Sequence, residues 1–193
     1  MARLGDVGEG LERSKQWPGA KVLAAFVWGE FLDVSIDVER VQLVFVVDLP
    51  AAEVPWMSRP AQCEALASFL RLDKLPLSWC WRPAEWPVWN HQIIRAVRFW
   101  TIDEGVDRDA LAALASGDVD SLVVSEPDRT RLVEQLQVER DTAWSHLVEV
   151  TDRFHDAQWR RTHRGDGVYP EDHLWQASAG YVDLQRAIEN TEI

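Results

Sequence analysis

Apolar and polar positions follow two periods along this chain, and the switch between them divides it. Near the start, Leu4, Val7 and Leu11 recur at helical spacing, and Trp17-Pro18-Gly19 stops the helix they predict over about Leu4–Gln16. Lys21–Trp28 (KVLAAFVW) is a continuous apolar run closed by Gly29, and Val41–Asp48 (VQLVFVVD) is a β-branched run ended by Leu49-Pro50. Both read as buried strands. Ser58 is placed to cap a helix running to about Arg71, with Pro60 in its first turn and Leu66, Phe69 and Leu70 turned inward. Leu77, Trp79 and Trp81 then alternate with Ser78, Cys80 and Arg82, a period of two that predicts a half-exposed strand. Val97–Ile102 is a further strand, Asp107 opens an alanine-rich helix ending at Gly117, and Leu122–Val124 is an edge-strand candidate.

At Ser125 the pattern becomes helical throughout. Ser125-Glu126-Pro127-Asp128 has the form of a capping box with Ser125 as the cap. Val133, Leu136, Ala143, Leu147, Val150, Phe154 and Ala157 follow at spacings of three and four, interrupted by Arg140, whose stem can lie along the apolar stripe. Gly165-Asp166-Gly167 breaks this helix and Pro170 starts another, with Leu174, Ala177, Tyr181, Leu184 and Ile188 on one face. Two such helices joined by a glycine loop pack as an antiparallel pair. The expected class is therefore α/β (α+β): a small mixed-sheet domain over residues 1–125, then a helical hairpin over 126–193.

Composition narrows the function classes. With 193 residues, 47% hydrophobic and 27% charged, the chain has enough apolar material for a real core. Its net charge of -12 disfavours bulk nucleic-acid binding, which needs a basic face against phosphates. No run approaches a membrane span and the first residues carry no apolar signal core, so a cytoplasmic protein is expected. Cys63 and Cys80 are too few for a disulfide framework or a multi-cysteine zinc site, and both read as small core residues. The 11 tryptophans, six of them between Trp56 and Trp100, imply either an aromatic core or an aromatic-lined recognition surface. Phosphate-loop, dinucleotide and nucleophile-elbow motifs are missing from the sequence.

The N-terminal order of helix, strand, glycine, polar loop and strand resembles the nucleotidyltransferase superfamily, the polymerase-beta-like fold, over residues 1–105. The stretches VQLVFVVDLP, WPVWNH and YPEDHLW are also similar to an uncharacterised bacterial family with this layout. In the superfamily one strand ends in Gly-Ser and the next opens with Asp-x-Asp, two carboxylates that hold magnesium ions against a triphosphate. Here Phe26-Val27-Trp28-Gly29-Glu30 places a carboxylate where the phosphate-binding serine belongs. The acid-pair positions are Val41 with Leu43, or Gln42 with Val44 in the shifted register. The resemblance thus implies the scaffold with a degenerate centre and no cofactor. The alternative is a magnesium-dependent nucleotidyltransferase with relocated ligands, for which Asp48 and Asp103 at strand ends, with Asp33 and Asp37 in the intervening loop, are the candidates.

A second cluster lies between the two C-terminal helices, in Trp159-Arg160-Arg161-Thr162-His163-Arg164 and Tyr169-Pro170-Glu171-Asp172-His173-Leu174-Trp175. Arg160, Arg161 and Arg164 could clasp a phosphate or carboxylate. His163 and His173, with Asp166 or Asp172, could bind a metal, though at no recognised spacing, or His173 could act as an acid or base oriented by Glu171 or Asp172. On structural grounds alone, the acids complement one helix N-terminus and the arginines the other helix's C-terminus. Arg140 and His146 match the Arg-x(4–6)-His spacing of HEPN ribonucleases, helical domains often paired with nucleotidyltransferases, at a frequency expected by chance. Trp89 and His91, in the Trp-rich segment 79–100, complete the candidate binding residues, with His91 also readable as a hydrogen-bonded packing residue. The expected function is a non-catalytic binding or regulatory module for a protein partner or a small anionic ligand. The exposed edge of the hairpin is compatible with a homodimer.

Overall fold

The central strand of the sheet is the first one in sequence. In the computed structural model, which describes residues 2–33, 39–164 and 169–192, β1 (Val22–Trp28) pairs antiparallel with β2 (Val41–Val47) on one side and with β4 (Ala96–Thr101) on the other. β3 (Leu77–Pro83) lies parallel to β2, and the short β5 (Gly105–Val106) runs antiparallel to β4, giving the order β3-β2-β1-β4-β5. A parallel neighbour requires a crossover, and α2 (Ala61–Leu70) stands between β2 and β3 in sequence. The architecture is mixed α/β, as the two periodicities imply.

α1 (Ala2–Ser14) buries Leu4, Val7 and Leu11, each at most 1% exposed. It is fastened to the sheet where Trp100 donates its indole N–H to Glu12 Oε1 at 2.7 Å. The helix passes so close to β5 that a Cβ on Gly8 would stand 2.7 Å from Val106 Cγ2. α3 (Arg108–Ser116) is capped as its sequence predicts: Asp107 Oδ1 accepts the Ala110 N–H at 2.8 Å, and Gly117 closes the helix at φ 82°. The segment Leu122–Val124, expected as an edge strand, contributes a single bridge from Val123 to Val97.

Two helix starts differ from the sequence expectation, for one reason. α2 begins at Ala61, with Pro60 just outside it at ψ 138°, and Ser58 instead donates its backbone N–H to the Pro55 carbonyl in a turn. α4 (Arg129–Arg153) begins after Asp128, whose Oδ1 accepts the Arg131 N–H at 2.9 Å, so Ser125 is not its cap. Capping by Ser58 or Ser125 would require Arg59 or Glu126 to be helical immediately before a proline, a conformation the proline ring disfavours. The inward set on α2 also changes: Cys63, Leu66, Ala67 and Leu70 are buried, while Phe69 is exposed and packs on Trp17 at 4.9 Å.

The chain divides into two compact units: Met1–Pro50 with Pro60–Glu126, and Ala51–Arg59 with Pro127–Ile193. The second is discontinuous in sequence. A nine-residue strap between β2 and α2 belongs to it, although the linear pattern leaves that strap within 1–125. α4 ends at Arg153, short of the predicted Ala157, because Asp156 accepts the Trp159 N–H at 2.6 Å and caps a new helix, α5 (Ala157–Thr162). α6 (Pro170–Glu192) returns along α4: Val150 packs with Ala177 and Trp144 with Tyr181, the reversed order that an antiparallel pair requires.

Within the second unit the strap lies against α6. Trp56 Nε1 donates to Asp183 Oδ2 at 2.7 Å, and a Cβ on Gly180 would collide with the Trp56 carbonyl oxygen. Glycine at 180 is therefore the residue that lets the strap backbone approach the helix. The buried face of α4 also differs from the expected stripe. Glu139 is fully buried and accepts from Gln135 Nε2 at 3.1 Å, whereas Arg140 is half-buried and paired with Asp141 at 2.7 Å. No helix among the described residues is long and apolar enough to cross a membrane.

Candidate functional site

The turn after β1 is where the superfamily resemblance locates a phosphate site. Gly29 adopts φ 76°, and Glu30 is exposed in the 3-10 turn Gly29–Leu32 that follows. Gln42 stands directly across from Trp28 in the β1–β2 register, and a Cβ added at Gly29 would clash with Gln42 Oε1. The side chain of Gln42 thus occupies the space beside the glycine. Leu43 and Val44 are fully buried.

Of the acids considered as relocated ligands, Asp48 and Asp103 lie towards one end of β1 and Asp33 at the other. Asp48 Oδ1 accepts the Lys21 backbone N–H at 2.6 Å, beside the start of β1. Asp103 is exposed in the turn between β4 and β5, following Ile102, whose N–H bonds the Leu23 carbonyl. Asp33 follows the far end of β1, roughly 20 Å away for a seven-residue strand. Asp37 lies outside the described residues. Among the described residues, no three His, Cys, Asp or Glu side chains are grouped so as to hold a metal ion.

In the Trp-rich segment, Trp81 and Trp100 are core residues, while Trp79, Trp86 and Trp89 are half-buried. Arg82, expected on the exposed side of β3, is 1% exposed. Its Nη2 donates to the carbonyls of Pro87 at 2.8 Å and Trp89 at 3.3 Å, and its guanidinium lies 5.5 Å from the Trp86 ring. The strand loses its alternation here: Trp81, Arg82 and Pro83 are all buried. Arg82, drawn inward, satisfies the carbonyls of the following loop, as a buried cation must. Asn90, also fully buried, pins the same loop by accepting the N–H groups of Gln92 and Ile93, both at 2.9 Å. His91, beside it, is half-buried.

The cluster between the C-terminal helices is more concentrated than its sequence suggests. Trp159 is buried under α5, and His163 stacks on it at 4.2 Å with an interplanar angle of 19°. His163 Nδ1 is 2.9 Å from the Trp159 carbonyl. The same nitrogen is 3.1 Å from Thr162 Oγ1, so the ring is held by its Nδ1 edge. His173, in the first turns of α6, meets His163 edge-on at 5.2 Å and Trp159 at 6.3 Å. His146 on α4 joins them: burial lowers its pKa first, opposed by Glu149 and reinforced by His163. Burial also leads the lowering at His173, followed by His163 and His146, with Asp172 opposing and Arg59 of the strap adding to it.

The neighbouring charges have other engagements. Arg160 pairs with Glu171 at 2.6 Å and lies 5.0 Å from the Phe154 ring, and that ion pair holds Glu171 below the usual carboxylate range. Asp172 Oδ2 accepts the Tyr169 N–H at 2.7 Å, a helix-start contact. Arg161 and Arg164 are exposed, the latter over Tyr169 at 5.7 Å. Asp166 lies outside the described residues. Arg140 and His146, six residues apart, point about 120° away from one another around the helix, so the Arg-x(4–6)-His spacing gathers no pair.

Arg59 is the charged neighbour that a linear reading overlooks, while His146 enters it only through the Arg-x(4–6)-His spacing. His146 had a signal: Glu139, Ala143, His146 and Val150 repeat at four, three and four, with two polar members on the inward face. Arg59 had none, because only the strap brings it to the helices. Neither a curated protein nor a solved structure matches this chain. Residues 1–190 match the model of a family described as a domain of unknown function, DUF7711, and the chain belongs to that family.

Proposed function

We propose that the chain is a non-catalytic, nucleotidyltransferase-like binding or regulatory module whose sheet unit serves as scaffold and whose helical unit carries recognition. The order of α1, β1, glycine turn and loop, β2, α2 and a parallel β3 supports the superfamily layout. The observation that carries the non-catalytic reading is the pairing of Gly29 with Gln42. Where two carboxylates would have to face the glycine turn, a neutral amide fills the space and apolar residues continue the strand. Magnesium bound to a triphosphate needs charged oxygen ligands at that place. The relocated-ligand alternative has less behind it, since Asp48 is spent on the Lys21 N–H and Asp33 belongs to the opposite end of β1. On this reading the ligand is a protein partner or a small anion, met by the Trp159–His163–His173 cluster in a cytoplasmic protein.

The test is turnover. The chain is incubated with each labelled nucleoside triphosphate and magnesium or manganese, and pyrophosphate release and labelled product are followed. No release above the metal-only control is expected, and Asp48→Asn and Asp103→Asn should make no difference. Pyrophosphate release that disappears in either variant would establish the enzyme reading.

A further inference from the structure

The two sides of α6 differ sharply. Ala177, Leu184 and Ile188 are buried on the side turned to α4. On the opposite side Glu171, Trp175, Ser178, Val182 and Arg186 follow at spacings of four, three, four and four, which aligns them in one stripe. Trp175 is 65% exposed and Val182 42%, and among the described residues no other large apolar side chain is as exposed as Trp175. Ser178, between them, donates its hydroxyl to the Leu174 carbonyl at 2.8 Å. That hydroxyl is already satisfied on its own helix, so covering the stripe there strands no polar group.

The stripe is also symmetric from end to end. The point between Ser178 and Ala179 lies midway between Trp175 and Val182, and equally midway between Glu171 and Arg186. We propose that α6 is the interface of a homodimer, in which two copies of the helix cross antiparallel on a twofold axis at that point. Each Trp175 then meets Val182 of the second copy, and each Glu171 meets Arg186 of the second copy, as an interface that uses the same patch twice requires. The small side chains of Ser178 and Ala179 at the crossing let the helix axes approach closely. The charge pairs lie at the two ends, about 22 Å apart along the helix. Parallel packing would instead set Glu171 against Glu171 and Arg186 against Arg186. Arg160 holds Glu171 through Oε1 at 2.6 Å, and a carboxylate with about four acceptor positions accommodates a second guanidinium. One helix from each copy covers an area near the small end of specific interfaces, about 1,200 Å² in total, so the dimer forms with rising concentration. The inference goes beyond the module reading and is independent of what the Trp159–His163–His173 cluster binds.

Sedimentation velocity of the full chain, from micromolar to sub-millimolar concentration, is expected to show monomer giving way to dimer. Trp175→Ala, at an exposed position, should weaken association by about tenfold or more, because a central aromatic anchor dominates a small interface and occurs here twice. Trp144→Ala, which removes the exposed tryptophan of α4, should leave association unchanged. The register is read by charge exchange. Arg186→Glu alone and Glu171→Arg alone each set like charges together at both ends, and each should weaken the homodimer several-fold. An equimolar mixture of the two restores both pairs in a heterodimer and should associate as the wild type does. Should Glu171→Arg not fold, the Trp175→Ala and Arg186→Glu variants decide. A chain that stays monomeric at every concentration overturns the interface. So does a dimer that keeps its affinity in Trp175→Ala, or a charge-exchanged mixture that associates no more tightly than its parts.

Discussion

Trp56 and Asp183 are joined by a 2.7 Å hydrogen bond across 127 residues of sequence, and this contact makes the strap part of the helical unit. The indole is buried, so its N–H needs a partner, and Asp183 is the carboxylate on the face of α6 that the strap follows. Asp183→Ala should destabilise the chain by about 1–3 kcal/mol in urea denaturation followed by circular dichroism. Gly180→Ala should cost a similar amount, about 1–3 kcal/mol, by pressing a methyl group into the Trp56 carbonyl. If both are neutral, the strap does not hold the hairpin.

Acid should weaken the fold through the histidines. His146 and His173 have pKa values below the ordinary 6.5, chiefly because burial disfavours the charged ring. The unfolded chain therefore binds more protons than the folded one as pH falls below that value, so stability decreases with decreasing pH. The stabilising contribution is complete above pH 6.5 and is lost as pH falls through the depressed values. Urea midpoints at neutral and mildly acidic pH measure this directly, in chloride. His146→Gln and His173→Gln should each flatten the dependence.

Arg82 should be among the most sensitive positions of the sheet unit. Removing it strips the Pro87 and Trp89 carbonyls of their donor and leaves a hole under the loop. Arg82→Ala is expected to cost on the order of 3 kcal/mol, as loss of hydrogen bonds to a charged donor does. Asn90→Ala, which releases two amides, should cost about 1–3 kcal/mol. Equilibrium unfolding of the two variants tests whether this loop is held as described.

The helix caps give a comparison between adjacent positions. Asp128→Ala removes an N-cap and should cost about 1 kcal/mol, whereas Ser125→Ala should be close to neutral. Asp156→Ala should cost about as much as Asp128→Ala, because its carboxylate starts α5 and so positions Trp159 and His163. Thermal unfolding of the three variants side by side reads the order.

These particulars show what the linear pattern carried. The strands were legible because β1 and β2 are long apolar runs, and α1, α3 and the α4–α6 pair because their inward residues keep helical spacing. Ser58 and Ser125 do not start helices because the restriction proline imposes on its predecessor outweighs a favourable capping residue. Alternation puts Arg82 on an open face of β3, but the loop after β3 closes that face over it. The strap was beyond local pattern altogether, since Val54-Pro55-Trp56 is too short to show a period and its partner lies on α6. Of the candidate site, His163 and His173 could be seen from composition, whereas Arg59 depended on the strap and His146 on the buried face of α4.

Whether a metal–triphosphate site persists beside Gly29 is read most directly by a thermal-shift titration with the four nucleoside triphosphates, with and without magnesium. A ligand at a hundred times its dissociation constant adds about 2.7 kcal/mol, which for a chain of this length is roughly 5–11 °C in Tm. No magnesium-dependent shift is expected with any nucleotide. A shift that requires magnesium would contradict the non-catalytic reading.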